Sequence, residues 1–348
     1  MTRMTSAAAG DKRTGRVTIV DVARHAGVST ASVSKVLRDA YGVSDEMRDR
    51  VQSSMSALHY RPHRPARGMR GKTYTIGMVV SDLENPFFGL LSHGLTRVFG
   101  EQHYELLVAV GGAASASQQA MINTLIDHQM DGLVLVSPRA SDERLDELAG
   151  EIPMVLVGRH SSSDTLDSVS ADDALGARLV VDHLVRLGHR RIAFVMSEAE
   201  GDNPGLPEQR RLLGFRSAMA SHGLDDDLVL RHEWSLDGGR RAARELTGLA
   251  EPPTAVHAGA DVTAFGILSG LWDRGMRAPE DFSLAGHDNS PTSALGPISL
   301  TTIDQSGQEM GALAAELLLE RITGRVASRH EVLEPTLVVR STTAAPSL

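Results

Sequence analysis

The sequence of 348 residues contains no cysteine, which excludes disulfide bonds and thiolate metal sites and fits a reducing cytoplasm. No apolar run reaches the length of a membrane span, and residues 1–16 lack the apolar core of a signal peptide. The signatures HExxH and GxSxG and the phosphate-binding P-loop are also absent, although the chain has 14 histidines. We therefore expect a cytoplasmic protein that is not an enzyme and uses no metal or cofactor.

Charge is unevenly distributed along the chain, whose net charge is −9. Residues 1–72 carry 14 basic and 6 acidic side chains, a balance of +8. The remaining residues carry 21 basic and 38 acidic side chains, a balance of −17. A basic segment joined to an acidic body is typical of a DNA-binding module attached to a domain that DNA repels. A basic tail that is merely solvated is the alternative, and the regular pattern described next disfavours it.

The segment from Val17 to Leu37 has the pattern of a helix-turn-helix. Apolar residues recur at helical spacing up to Ala26, Gly27 then tolerates a left-handed turn, and Ser29 is suited to cap a second helix. Small and polar side chains on the outer side of that helix can enter a major groove and contact bases or phosphates. An ordinary helical hairpin is the alternative. The residues predicted here to contact DNA are Thr18, Ser29, Thr30, Ala31, Ser34 and Lys35.

A third helix is predicted after Ser44, a good N-cap, with Met47, Val51, Met55 and Leu58 along one face. The successive blocks DVARHAGVSTASVSKVL, VS and LHYRP resemble the headpiece of the lactose-repressor/galactose-repressor family of bacterial transcriptional regulators. Later blocks extend this resemblance over residues 17–343. These blocks are NPFF at 85–88, DDALGARLVVDHLVRLGHRRIAF at 172–194, GHDN at 286–289, LTTI at 300–303 and LEPTLVVRST at 333–342.

Beyond residue 72, strand-like runs such as TIGMVV (75–80) alternate with helical stretches such as 87–101. This alternation predicts parallel sheets covered by helices. The predicted fold is an all-α helix-turn-helix headpiece followed by two α/β, Rossmann-like lobes in a clamshell like that of periplasmic binding proteins. The predicted domains are a disordered tail (1–16), the helix-turn-helix (17–60), a hinge (61–72) and a ligand-binding and dimerisation domain (73–348) whose lobe one covers about 73–170 and 304–325 and whose lobe two covers about 171–300 and 330–343.

The resemblance implies that residues 61–72 become helical on operator DNA and place an apolar side chain in the minor groove. His63 stands where the family usually has asparagine, and Met69 stands where it usually has leucine. Ala66 and Arg67 keep the family pattern. We include these four residues in the predicted DNA contact, and the change at Met69 leaves open how deeply the minor groove is wedged.

Ligands of open α/β sheets bind beyond the carboxyl ends of the strands, so the cleft between the lobes is the predicted effector site. The guanidinium of Arg211 can contact hydroxyls or an anion, and the position of Asp288 is a family contact. Trp234 could stack on a sugar or fill the core, and Phe87 could also be a packing residue. Asp261 follows alanine where the family often has asparagine, so the pocket should differ from the common hexose pattern. The predicted ligand contacts are Ser81, Asp82, Phe87, Ser137, Arg211, Trp234, Asp261 and Asp288.

Taken together, these patterns predict a repressor that is associated with the nucleoid and responds to a ligand. We expect a homodimer that binds near-palindromic double-stranded operator DNA, with affinity controlled by a sugar or sugar derivative. A periplasmic-type sugar-binding protein is the alternative, but it should carry a secretion signal in place of the basic head.

Overall fold

The structure, a computed structural model, describes residues 17–37, 41–60, 72–198 and 203–346. It divides into two compact units, Met1–Thr73 and Tyr74–Leu348. The predicted tail and residues 61–71 of the predicted hinge lie outside the described residues. The predicted DNA contacts that fall in this part of the chain are His63, Ala66, Arg67 and Met69.

In the first unit, three short helices pack around a small apolar core. Their bounds are α1 Ile19–Ala26, α2 Thr30–Leu37 and α3 Asp45–Ala57. Gly27 has a φ of 65°, the left-handed conformation that ends α1. Ser29 Oγ accepts a hydrogen bond from the Ser32 amide at 3.1 Å and caps α2, and Ser44 Oγ caps α3. Each helix contributes a fully buried valine to the core; these are Val22, Val33 and Val51.

The second unit alternates strands and helices. Its strands are β1 Thr75–Val80, β2 Glu105–Val110, β3 Gly132–Val136, β4 Met154–Val157, β5 Asp167–Ala171, β6 Ile192–Met196, β7 Val229–Arg231, β8 Ala255–Ala258, β9 Ser283–Ala285, β10 Thr302–Asp304, β11 His330–Leu333 and β12 Thr336–Val338. Its helices are α4 Phe87–Glu101, α5 Ser115–Asp127, α6 Asp142–Glu151, α7 Asp173–Arg186, α8 Pro207–Ser221, α9 Leu236–Gly248, α10 Asp261–Trp272 and α11 Gly307–Ile322.

Two parallel sheets form the two lobes of this unit. The first sheet has the order β11-β5-β4-β3-β1-β2, and the second has the order β7-β6-β8-β9. Helices cover both faces of each sheet, and central strands such as β3 are therefore buried along their whole length. Strands β10 and β12 form a separate antiparallel pair. The predicted fold class is confirmed.

One limit of the predicted lobes is wrong. Residues 330–333 were predicted in lobe two, but they form β11 and pair with β5 at the edge of the first sheet. The reason is that α11 packs on the first lobe and ends beside β5, where Arg321 and Arg325 both bind the buried carboxylate of Asp167. The chain returns to β10 only with β12.

Helices α4 and α11 approach each other closely on the first lobe. A Cβ atom on Gly94 of α4 would collide with the carbonyl oxygen of Gln308 on α11, and Gly311 faces the backbone of Leu91 in the same way. Glycine at these points allows the two helix backbones to touch. Among the helices described, none combines the length and apolar character that a membrane span requires.

Candidate functional site

The outer side of α2 presents the side chains that the sequence predicts for DNA contact. Val33 and Val36 are buried on the inner side of α2. Thr30, Ala31 and Lys35 lie on the opposite side and are exposed. Ser29 is also exposed and Ser34 is half-buried. Small side chains flank the one lysine on this surface, which suits close approach to a groove. Contact of these residues with DNA stays a prediction.

Thr18 has a local partner at the start of α1. Its amide and its hydroxyl donate to Asp21 Oδ2 at 2.9 and 2.7 Å. These hydrogen bonds from Thr18 lower the pKa of Asp21. Thr18 therefore stabilises the first turn of α1, and its predicted contact with DNA is untested.

The loops after the strands of the two sheets meet where the effector cleft was predicted. His160, in the loop after β4, places Nε2 3.2 Å from Asp173 Oδ2, and its amide donates to the Gly205 carbonyl at 2.8 Å. Arg139, in the loop after β3, forms an ion pair with Glu208 of α8. These contacts join the first lobe to the second lobe across the cleft.

Arg211 is the centre of the hydrogen-bond network on the second lobe. Its Nε donates to Asp173 Oδ1 at 2.8 Å, and its Nη2 donates to Gln305 Oε1 at 3.1 Å. Its Nη1 donates to the Gly259 carbonyl. The guanidinium carbon lies 4.9 Å from the ring centre of Trp234, and the side chain is only 4% exposed. Each of the three guanidinium nitrogens of Arg211 therefore donates a hydrogen bond to another group of the protein.

Asp288 lies beside this network with an unusual backbone conformation. Its φ is 139°, and its amide donates to the Ile303 carbonyl at 2.8 Å. Gln305 Nε2 donates to Oδ1 of Asp288 at 2.6 Å. Burial, followed by the nearby charge of Asp261, raises the pKa of Asp288 well above its usual range. The protein therefore disfavours the charged form of this carboxyl group, although both of its oxygens accept hydrogen bonds, Oδ1 from Gln305 and Oδ2 from the Asp261 amide.

Asp261, the first residue of α10, accepts hydrogen bonds from residues close to Asp288. Its Oδ2 accepts from the amide and hydroxyl of Ser290 at 2.8 and 2.9 Å, and its Oδ1 accepts from Thr302 Oγ1 at 2.6 Å. Burial raises the pKa of Asp261 against the opposing effect of these hydrogen bonds. The carboxylate links α10 to β10, and nothing tests its predicted contact with a ligand.

The predicted contacts of the first lobe also have structural partners. Asp82 Oδ1 accepts from the amides of Glu84 and Asn85, and Oδ2 accepts from Ser81 Oγ at 2.7 Å. This arrangement is an Asx turn that leads into α4. Phe87 is buried against the start of α11, and the Ser137 amide donates to the Val157 carbonyl at 2.8 Å. The structure therefore brings Arg211, Trp234, Asp261 and Asp288 together on the second lobe and holds Ser81, Asp82, Phe87 and Ser137 on the first.

Sequence reasoning placed the segments 137–139, 158–161 and 197–211 at the cleft but did not single out Arg139, His160 or Glu208. Two signals were present: Arg139 closely follows β3, and Glu208 precedes Arg211 by three residues, which places both side chains on one face of α8. Glu208 Oε2 and Trp234 Nε1 are buried and have no hydrogen-bond partner among the described residues.

Two histidines fill the interior near Arg211. His257 of β8 and His287 after β9 are fully buried, and their rings lie 6.0 Å apart. Burial, helped by the charge of Arg211, lowers the pKa of His257 to about 3, and the same causes lower that of His287 well below the usual value. Both rings are therefore neutral at physiological pH. Within the described ranges, no group of three or more histidine or acidic side chains is placed to hold a metal ion.

Comparison with known proteins agrees with both parts of this architecture. Residues 18–63 match the family described as bacterial regulatory proteins, lacI family, and residues 181–343 match the periplasmic binding protein-like domain. Catabolite control protein A of Priestia megaterium is 31% identical over 87% of this chain and 91% of its own length. The ribose operon repressor of Haemophilus influenzae is 32% identical over 93% of this chain and 97% of its own. The chain belongs to the LacI family.

A solved structure extends the likeness of this LacI-family protein to both units. The lac repressor dimer bound to operator and the anti-inducer ONPF is 25% identical, with a TM-score of 0.76, and the match covers 95% of this chain and all of that one. The protein is a ligand-responsive DNA-binding transcriptional regulator. The match of residues 18–63 to the lacI family decides against the periplasmic-type binding protein, and the curated relatives are transcriptional regulators rather than enzymes.

Proposed function

We propose that this regulator is a cytoplasmic repressor that binds a near-palindromic operator as a homodimer and carries its effector in the cleft between the two lobes. The observation that carries the proposal is the convergence of Arg211, Trp234 and Asp288 at the carboxyl ends of the second sheet, opposite the loops of the first. This is where parallel α/β sheets bind ligands. Proteins of this family with bound ribose and bound cellobiose have the same fold, which supports a sugar-like effector here.

DNA recognition is assigned to the headpiece, residues 17–60, and to the hinge, residues 61–72. The outward residues of α2 would contact the major groove, and the cations of this basic segment would contact phosphates. Lys35 is the residue of α2 suited to a phosphate or a guanine. The hinge residues His63, Ala66, Arg67 and Met69 complete the proposed contact with the minor groove.

The homodimer is assigned to the outer edge of the first sheet. Strand β2 is the last in the sheet order and pairs only with β1 among the described strands. Leu107, Val108 and Val110 of this strand are each at least 40% exposed. An exposed apolar edge strand favours association with a second chain, and the lac repressor neighbour is itself a dimer.

The effector would act by changing how the two lobes close. A ligand that contacts both lobes favours the closed arrangement by its differential affinity, and operator affinity changes by the same coupling free energy. This coupling is typically about 1–3 kcal/mol in allosteric proteins.

The direct experiment is a gel-shift assay of the purified full chain on its own upstream region, at low salt, with and without a panel of sugars. Retardation that at least one sugar changes is the expected result. Because phosphate contacts release counterions, the affinity should also fall steeply as salt rises. Absence of retardation under every condition would show that the proposal is wrong.

A further inference from the structure

The ion pair between Arg139 and Glu208 is a feature of the cleft that the proposed function leaves without a role. Glu208 lies in the first turn of α8, and its side chain is 1% exposed. The Arg139 side chain is half-buried, with 12% of its surface exposed. Gln118 positions Arg139 by accepting a hydrogen bond from its amide at 2.9 Å while donating to the Gly112 carbonyl at 3.0 Å. The first lobe therefore presents a held cation to a buried carboxylate of the second lobe.

Within the part of the chain that the structure describes, only one oxygen of that carboxylate has a partner. Oε1 of Glu208 receives Arg139, whereas Oε2 is buried with no hydrogen-bond partner among the described residues. A buried acceptor without a donor is costly, and most such atoms in proteins are satisfied. A donor supplied by a molecule in the cleft would satisfy Oε2.

A second unsatisfied group lies beside Arg211 of the same helix. Arg211 is three residues after Glu208 and therefore shares its face of the helix, and its guanidinium lies over Trp234. Trp234 Nε1 is a buried donor that has no acceptor among the described residues. Arg210 also has an unsatisfied Nε, but it is two residues from Glu208 and lies on a different side of the helix.

The charges around this space are already balanced. Arg139 is paired with Glu208, and Arg211 is paired with Asp173, with both carboxylates buried. A phosphate or carboxylate placed beside the free oxygen of Glu208 would bring two negative charges together in a poorly solvated site, which is unfavourable. A neutral ligand leaves both pairs intact.

We propose that Glu208 reads the effector, that its free oxygen accepts a hydrogen bond from a hydroxyl of an uncharged saccharide, and that the Arg139–Glu208 pair excludes phosphorylated and acidic sugars. This inference rests on the proposed effector site and adds its ligand class and a specificity residue. Since Arg139 belongs to the other lobe, the same carboxylate joins ligand recognition to lobe closure.

The test is a fluorescence titration of the full-length protein carrying Trp272→Phe, which leaves Trp234 as its sole tryptophan. Trp272 is exposed and packs on Arg277, away from the network of Arg211. The probes are ribose, glucose, galactose, maltose and cellobiose, each compared with its available phosphate ester or uronic acid. We expect binding of at least one neutral sugar and no binding of its anionic derivative.

Glu208→Gln then keeps the shape of the side chain but replaces the acceptor by an amide. It should weaken binding of that sugar by about 10- to 100-fold, the range expected for a hydrogen bond to a charged group. Glu147→Gln removes an equal charge from the exposed pair with Arg144 and should leave binding unchanged. If Glu208→Gln alone fails to fold, the double variant Arg139→Gln/Glu208→Gln removes both charges and should show the same loss of affinity.

Monodeoxy analogues of the bound sugar separate recognition from a purely structural role. One analogue should lose affinity for the wild-type site and lose almost none for the Glu208→Gln site. Equal losses of every analogue at both sites, an unchanged affinity of Glu208→Gln, or tighter binding of the anionic derivative would each overturn the proposal. Binding of neither set would instead contradict the sugar-responsive function on which the proposal rests.

Discussion

Replacement of Arg211 by methionine tests the network that organises the second-lobe side of the cleft. Methionine preserves much of the length of the side chain and removes its charge and all its donors. Asp173, which is 1% exposed, would then keep only His160 as a side-chain hydrogen-bond partner among the residues that the structure describes. Gln305 and the Gly259 carbonyl would also lose their donors.

The size of the effect follows from the burial of the pair. Hydrogen bonds to charged groups are worth about 1.5–3 kcal/mol each, but bonds of one side chain do not add fully. Removal of one partner from a buried ion pair costs about 3–5 kcal/mol, because the other charge stays in a poor solvent. We therefore expect Arg211→Met to lower the free energy of unfolding by about 3–5 kcal/mol, a large part of the ~5–15 kcal/mol that holds a typical domain folded.

Urea unfolding of the full chain, followed by circular dichroism and tryptophan fluorescence, measures this change. Arg216→Met on the same helix is the matched control. Arg216 is 52% exposed and lies 3.5 Å from Asp226, so its loss should cost less than ~1 kcal/mol. The double variant Arg211→Met/Asp173→Asn should recover part of the loss, since it no longer leaves a buried charge. Equal stability of the Arg211 and Arg216 variants would refute the reasoning.

Four further predictions concern other parts of the molecule. Lys35→Ala should weaken operator binding and lower the slope of log affinity against log salt by ~0.9, with effector affinity unchanged; equal loss of both affinities would contradict its assignment. Val108→Asp places a charge on the proposed dimer edge and should convert dimer to monomer in light scattering, whereas an unchanged mass would exclude β2 from the interface. The pKa of His257 is lowered from 6.5 to about 3, so the unfolded chain takes up a proton first and the wild type loses stability as pH falls from 6.5 towards 3. His257→Leu should remove about 2 kcal/mol of this loss between pH 7 and pH 5. If urea unfolding gave the same decrease in the free energy of unfolding for the variant and the wild type over this range, the prediction would be contradicted. Gly94→Ala should cost about 1–3 kcal/mol by separating α4 from α11, whereas Gly100→Ala, in open space on the same helix, should gain ~0.5–1 kcal/mol; equal shifts in urea midpoint would argue against the close helix contact.

The headpiece shows how much local sequence can predict. Helical spacing, the left-handed turn at Gly27 and the caps at Ser29 and Ser44 all agree with the structure. Each of these features depends on residues within one or two helical turns, so the pattern is readable without the rest of the chain. The strand run at 75–80 was predictable for the same reason, because a central parallel strand is apolar along its length.

The partners of the polar residues in the cleft could not be predicted from the sequence. Sequence patterns identified Arg211, Asp261 and Asp288 as polar groups in segments that lie beyond the carboxyl ends of the strands, but they could not tell whether these groups face a ligand or other protein groups. Their partners, among them Gln305 and Thr302, are distant in sequence. The partner of a buried polar group is chosen by three-dimensional proximity, and the same residue type suits either role.

By itself, the sequence determined the class of the molecule: a basic three-helix reader, an acidic body of parallel α/β lobes and the strand ends where a ligand can bind. Only the tertiary structure decided that β11 completes the first sheet and that Arg139 meets Glu208 across the lobes. The physical reason is the separation along the chain over which each interaction acts. Periodicity and capping act between neighbours along the chain, whereas strand order and buried ion pairs depend on which distant segments exclude water together.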